Sequence, residues 1–287
     1  MANEKKYSNA TILLVDNGST RANAAAQLRH LAESLGNKIG EKINAVSLKH
    51  SDRISTDEVK NKLSGIPARV FREFMTEHLR AGQRNFILIP LFFGNSRALS
   101  SFVPDEKAEL ESEFAAFNIK MTEVLYPLPD GESLLVDILY EHALTSTKGS
   151  TKDALKNLVL VDHGSPLPAV NAVRQHIAKA LNAKFPDEIN VAQTAMERRE
   201  GKEYDFNGEL LEHYLNRIAE SGETHATVLL LFLLAGTHAG EGGDIEQICD
   251  AVMKQHPNFK VSISPLISQN EKLVDCLEQR LSMILTN

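Results

Sequence analysis

The chain repeats itself once, and that repeat limits its architecture more than any other feature of the sequence. Val15-Asp16-Asn17-Gly18-Ser19 lines up with Val161-Asp162-His163-Gly164-Ser165 at an offset of 146, and Ile43-Asn44 meets Ile189-Asn190 at the same offset. The apolar run ending at Gly94 meets the run ending at Gly236 at an offset of 142, and Pro127-Leu128 with Val136-Asp137 meets Pro265-Leu266 with Val274-Asp275 at 138. Four anchors in one order indicate a duplication. The two drops of four put small extra insertions in the first half, after its second and third strands, where surface connections tolerate them. Residues 145–152 are polar and without periodicity and read as the join, which predicts domains at 1–147 and 148–287.

Within each half, short apolar runs alternate with helical patterns. The runs fall at 11–16, 43–48, 86–92 and 120–126, and again at 157–162, 189–195, 226–234 and 260–265. Leu28, Leu31 and Leu35 make one helical stripe; Val170, Val173, Ile177 and Leu181 make its counterpart. Such alternation predicts an α/β fold of two small four-stranded parallel sheets, each flanked by helices with right-handed crossovers. Ligands of such sheets bind beyond the carboxyl ends of the strands, so the loops there are where function is expected.

Composition removes several function classes. A chain of 287 residues is about twice a usual domain of roughly 100–150 residues, consistent with two domains. With 31 Lys+Arg against 38 Asp+Glu, the chain lacks the positive sheath that a phosphate backbone requires, and nucleic acid is excluded as a partner. The longest apolar run, Ala226 to Ala235, is far short of the roughly 20 residues that span a bilayer, so no membrane partner is expected. Two cysteines, Cys249 and Cys276, make no disulfide framework, and residues 1–7 lack a signal-peptide core; the expected location is the cytoplasm.

The strand-end loops carry chemistry in the second half only. His163 follows the first strand of that half, His238 follows the third, and Glu197 ends the second. Neutral imidazoles and a carboxylate suit a divalent transition metal, and serve equally as proton acceptors. In the first half Asn17 stands at the place of His163 and Ser96 at that of His238. Ser51 is the ungapped partner of Glu197, with His50 matching after a one-residue shift.

The His-Gly-Ser start, Glu197, and Phe232-Leu233-Leu234-Ala235-Gly236-Thr237-His238 followed by Gly242-Gly243-Asp244-Ile245 resemble the class II tetrapyrrole chelatases, the sirohydrochlorin cobaltochelatase and ferrochelatase family. The likeness covers the whole second half and, more faintly, the first. It implies two tandem chelatase-like domains forming an intramolecular pseudo-dimer, with further self-association left open. It also implies an enzyme that inserts Co²⁺, Fe²⁺ or Ni²⁺ into sirohydrochlorin, with the metal as substrate and no permanently bound cofactor.

On this resemblance His163, His238 and Glu197 are both metal ligands and catalytic groups. Arg198 and Arg199 are candidate partners for the substrate's carboxylates, and Ser165 is a candidate substrate contact or turn former. Two departures stand out: Pro166 occupies a position where the family commonly has Arg, and the histidines lie in the second half rather than the first. Histidines must be neutral to bind metal, so activity should fall on acidification. The alternative from another class is a non-catalytic metal or tetrapyrrole carrier of the same fold.

Overall fold

The computed structural model describes residues 9–147 and 155–286. Two parallel four-stranded sheets are present. The first is built from β1 (Thr11–Asp16), β2 (Ile43–Ser47), β3 (Asn85–Pro90) and β4 (Asn118–Met121) in the order β2-β1-β3-β4. The second repeats that order as β6-β5-β7-β8, with β5 (Asn157–Asp162), β6 (Asn190–Ala195), β7 (His225–Leu230) and β8 (Lys260–Ile263). The expected fold class is therefore the observed one. Leu158–Val161 of β5 and Ala226–Leu230 of β7 are buried throughout, as for central strands covered on both faces. Register repeats too: Asp16 pairs with Ser47 as Asp162 pairs with Ala195.

Helices α1 (Ala22–Ile39), α2 (Thr56–Lys62), α3 (Phe71–Arg80), α4 (Val103–Phe114) and α5 (Ser133–Ser146) belong to the first half of the sequence, and α6 (Pro168–Asn182), α7 (Leu211–Glu220), α8 (Asp244–Gln255) and α9 (Lys272–Thr286) to the second. The predicted stripes are buried at Leu28, Leu31 and Leu35 and at Val173, Ile177 and Leu181. Both cysteines are core residues, and burial pushes the Cys249 thiol up to about 12. No described helix is long and apolar enough to cross a membrane.

The compact units differ from the expected domains 1–147 and 148–287. One comprises residues 1–125 with 274–287, the other 126–273. Each half thus gives its last helix to the other half's compact unit. In the second unit, Asp137 of α5 pairs with Lys184 at 2.6 Å, Tyr140 lies on Phe185 with ring centroids 4.9 Å apart, and Glu141 pairs with Lys272. In the first unit, Arg280 of α9 donates to the carbonyls of Val124 and Leu125 at 3.0 and 3.2 Å, and Lys38 pairs with Glu278 at 2.9 Å. Leu135, Val136, Ile138 and Leu139 of α5 are buried; at roughly 1.5–3 kcal/mol for each such side chain, the exchanged helix contributes as much as a whole domain's net stability. Of the expected join, residues 145 and 146 continue α5, while 148–152 lie outside the described residues.

Candidate active site

The order β6-β5-β7-β8 reverses direction between β5 and β7, which opens a crevice at their carboxyl ends. His163 leaves β5 and His238 lies in the loop after β7. Although 75 positions separate them, their rings meet edge to face, with centroids 4.4 Å apart and planes at 67°. Glu197, two residues beyond the end of β6, puts Oε1 3.3 Å from His163 Nε2. His163 thus lies close to both of the other expected residues, and all three side chains are open to solvent: His163 is 43% exposed, Glu197 62% and His238 39%.

Each imidazole is oriented by an acceptor. The Nδ1–H of His238 donates to Asp244 Oδ2 at 2.6 Å, and the Asp244 and Ile245 amides close the loop onto the carbonyls of Thr237 and His238 at 3.2 and 3.0 Å. Asp244 opens α8, a position that favours a carboxylate electrostatically, and it leaves the Nε2 lone pair of His238 available. His163 Nδ1 donates to the Gly164 carbonyl at 3.1 Å. Its Nε2 lone pair therefore faces a carboxylate oxygen, an opposition of two acceptors that a proton or a cation between them resolves.

Beneath His163 lies a buried ion pair. Asp162 accepts from the Gly164 amide at 3.0 Å and pairs with Arg174, which is 1% exposed and also donates to the Asn207 carbonyl at 2.5 Å. Burial raises the Asp162 pKa while Arg174 pulls it down. Gly164 has φ +90°, and a Cβ there would sit 2.0 Å from the Glu197 carbonyl oxygen, so only glycine brings the histidine loop this close to the glutamate loop.

The remaining sequence candidates fare differently. Ser165 is held by its backbone, its amide donating to Asn207 Oδ1 and its carbonyl accepting from Asn207 Nδ2, both at 2.9 Å. Its Oγ accepts from the Leu167 amide at 3.0 Å, so it forms the turn into α6. Arg198 pairs with Asp205 of its own loop at 3.1 Å. Arg199 is exposed, its guanidinium 5.9 Å from the centre of the Tyr204 ring.

A preformed triad of metal ligands is not found: among the described residues, no group of three or more His, Cys, Asp or Glu side chains is arranged to hold a metal ion. His163 Nε2 lies against Glu197 Oε1 at 3.3 Å, and the two imidazole rings pack edge to face. Sequence reasoning also missed Asn207, which no motif marks, and the orienting role of Asp244.

In the first half the equivalent of Glu197 is neither Ser51 nor His50 but Lys49. Its amide donates to the Asn17 carbonyl at 3.1 Å as that of Glu197 donates to His163 at 3.2 Å, and a Cβ on Gly18 would meet the Lys49 carbonyl oxygen at 1.7 Å. The loop shifts by two residues, and an acid in one half stands where a base stands in the other.

Fold and site together define a duplicated α/β protein of two parallel four-stranded sheets, with one half bearing the imidazoles. Residues 157–284 match the CbiX family model. No curated protein matches the sequence. In fold, the chain is similar to SirB from Bacillus subtilis with Fe³⁺ (15% identity, TM-score 0.66, covering 97% of this chain and 96% of that one). It is similar also to the sirohydrochlorin chelatase SirB from Bacillus subtilis subspecies spizizenii in complex with cobalt (16%, 0.63, 97% and 96%). A third similar structure is DR2241 from Deinococcus radiodurans, a multi-domain protein with structural similarity to chelatases (14%, 0.58, 95% of this chain and 55% of that one).

Proposed function

We propose that the protein is a chelatase that inserts a divalent metal ion, Co²⁺ or Fe²⁺ with Ni²⁺ as a further candidate, into sirohydrochlorin, in the cytoplasm, on the route to cobalamin- or siroheme-type cofactors. The observation that carries this reading is the meeting of His163 and His238, 4.4 Å apart between ring centroids, beside Glu197. The match of residues 157–284 to the CbiX family model and likeness in fold to a sirohydrochlorin chelatase in complex with cobalt support it.

The reaction exchanges two inner N–H protons of the macrocycle for one M²⁺, so it needs a group that presents the metal and acceptors for two protons. His238, its Nδ1–H held by Asp244, offers Nε2 as ligand or base; His163 Nε2 and Glu197 form a second acceptor pair. An open pair of imidazoles suits a metal that passes through as substrate, whereas a storage site would need a closed ligand cage. No permanently bound cofactor is required for this exchange.

The test is an anaerobic absorbance time course with excess sirohydrochlorin and each metal in turn, after subtraction of the uncatalysed rate. Multiple turnovers that collapse in both His163→Ala and His238→Ala are expected. Tight binding of pigment or metal without acceleration by the wild type would refute the enzyme and leave a carrier.

A further inference from the structure

We infer that Asn207 is a positioning residue that holds the His163 turn against the loop of Glu197; the role rests on the function proposed above. Asn207 is buried in the connection between β6 and α7, the same connection that carries Glu197. Its carboxamide grips both polar backbone groups of one residue: Oδ1 accepts from the Ser165 amide and Nδ2 donates to the Ser165 carbonyl, each at 2.9 Å, with a further donation to the Tyr204 carbonyl at 3.1 Å. The near side of the turn is held from the same connection, by the Glu197 amide on the His163 carbonyl at 3.2 Å. His163 is therefore tied on both sides of Gly164 to the segment that bears the carboxylate, and those two attachments limit where its ring can point. Helix α6 fixes the clamp in turn. Asn171 Nδ2 donates to the Phe206 carbonyl at 2.7 Å, and Arg174 links the Asn207 carbonyl, at 2.5 Å, to Asp162, the residue before His163.

The first unit shows that the fold itself does not require this clamp. The equivalent turn is present there, and the Ser19 amide, at the place of Ser165, is held by Ser51 Oγ at 3.2 Å. Asn17 replaces the histidine, and Ala25 and Leu28, both buried, stand at the places of Asn171 and Arg174. Sheet and helix thus form with an apolar pair where the second unit buries a carboxamide and a guanidinium. The polar version is the costlier of the two. Arg174 Nε and Asn171 Oδ1 are buried with no partner among the described residues, whereas well-packed apolar groups in place of buried charges are often neutral or stabilising. Polar groups retained at that cost beside the imidazole, and absent from the half without it, serve the turn and not the sheet. The effect of losing them falls on orientation, where a displacement of about 1 Å can cost about a hundredfold in rate.

The experiment is a double-mutant cycle between Asn207 and His163 in the full chain, read as single-turnover rates of Co²⁺ insertion into sirohydrochlorin, which resolve the residual activity of His163→Ala. Two variants are used, Asn207→Ala and the isosteric Asn207→Asp, which keeps the acceptor and loses the Nδ2 donor; circular dichroism checks that each is folded. In the wild-type background each should slow insertion about tenfold and raise the KM for metal, with the KM for sirohydrochlorin unchanged. In the His163→Ala background the same changes should alter the rate by less than about twofold, because the group they position is gone. Equal losses in both backgrounds would show that Asn207 does not act through His163 and would overturn the inference. The same cycle is read without pigment as Co²⁺ affinity, from the visible absorption of the bound ion. A wild type that binds Co²⁺ without turning over sirohydrochlorin refutes the proposed function alone, and the cycle on Co²⁺ affinity then decides the role of Asn207 by the same criterion; a wild type that does neither overturns both.

Discussion

Asp16 and Asp162 are equivalent residues with opposite surroundings, and the difference has a measurable consequence. Asp162 has Arg174; at the matching place in the first half stands Leu28, so Asp16 is buried, 7% exposed, without a cation. It accepts hydrogen bonds from the Ser47 side chain and the Gly18 amide, but its Oδ1 is buried with no partner. Burial pushes its carboxyl up from 3.8 to about 6. Because the folded state holds this proton more tightly than the unfolded chain does, the contribution to stability is fully present below about pH 4 and is lost as the pH rises to about 6. At roughly 1.36 kcal/mol per pKa unit, the loss amounts to about 3 kcal/mol. Asp16→Asn removes the titration, so its stability relative to wild type should rise by about 3 kcal/mol between pH 4 and pH 8, whatever constant offset the amide introduces. Urea denaturation of both proteins across that range measures the difference directly. Parallel stability curves would mean that Asp16 titrates alike in both states and would refute the reasoning.

Three further outcomes are expected. Asp244→Asn removes the carboxylate that orients His238 and should lower turnover by roughly 10–100-fold, with an altered pH profile and little change in thermal stability; an unchanged rate would deny Asp244 its positioning role. Arg174→Leu leaves Asp162 buried without its cation and should cost about 3–5 kcal/mol in urea denaturation, with a second change, Asp162→Asn, restoring much of it; if the double variant is as unstable as the single, the ion pair is not the cause. Residues 1–147 and 148–287 made as separate chains should each fail to fold alone and should give cooperative unfolding, read by circular dichroism, when refolded together; a stable, cooperative 1–147 would contradict the exchanged helices.

The strands were legible because continuous apolar runs bounded by turn residues leave little choice, and the meeting of His163 with His238 followed from placing both loops at one end of one sheet. Other features left no local trace. The amphipathic pattern of α5 says that one face is buried, not which sheet buries it, so the exchange with α9 was invisible. Arg174 lies beside the stripe of Val173 and Ile177, where an arginine reads as solvated, yet it is buried under the histidine loop as the partner of Asp162. Aligning Glu197 with Lys49 required backbone hydrogen bonds, since the connecting loops differ in length and a gap of two residues costs an alignment nothing. The engagement of Arg198 by Asp205 was likewise hidden in a stretch where acids and bases alternate and many pairings are open.

The exchanged helices also bear on how one half of a duplicated gene can fall silent and still persist. A tandem copy freed from catalysis ordinarily drifts toward deletion, because nothing in the active copy depends on it. Here the final helix of the histidine-bearing half lies in the compact unit of the other half, and the reverse holds for α5. Deleting the first copy would leave α9 without the compact unit it belongs to and remove α5 from the second unit. Under the proposed function, selection on the chemistry of one half therefore holds the other in place, while leaving its strand-end loops free to diverge.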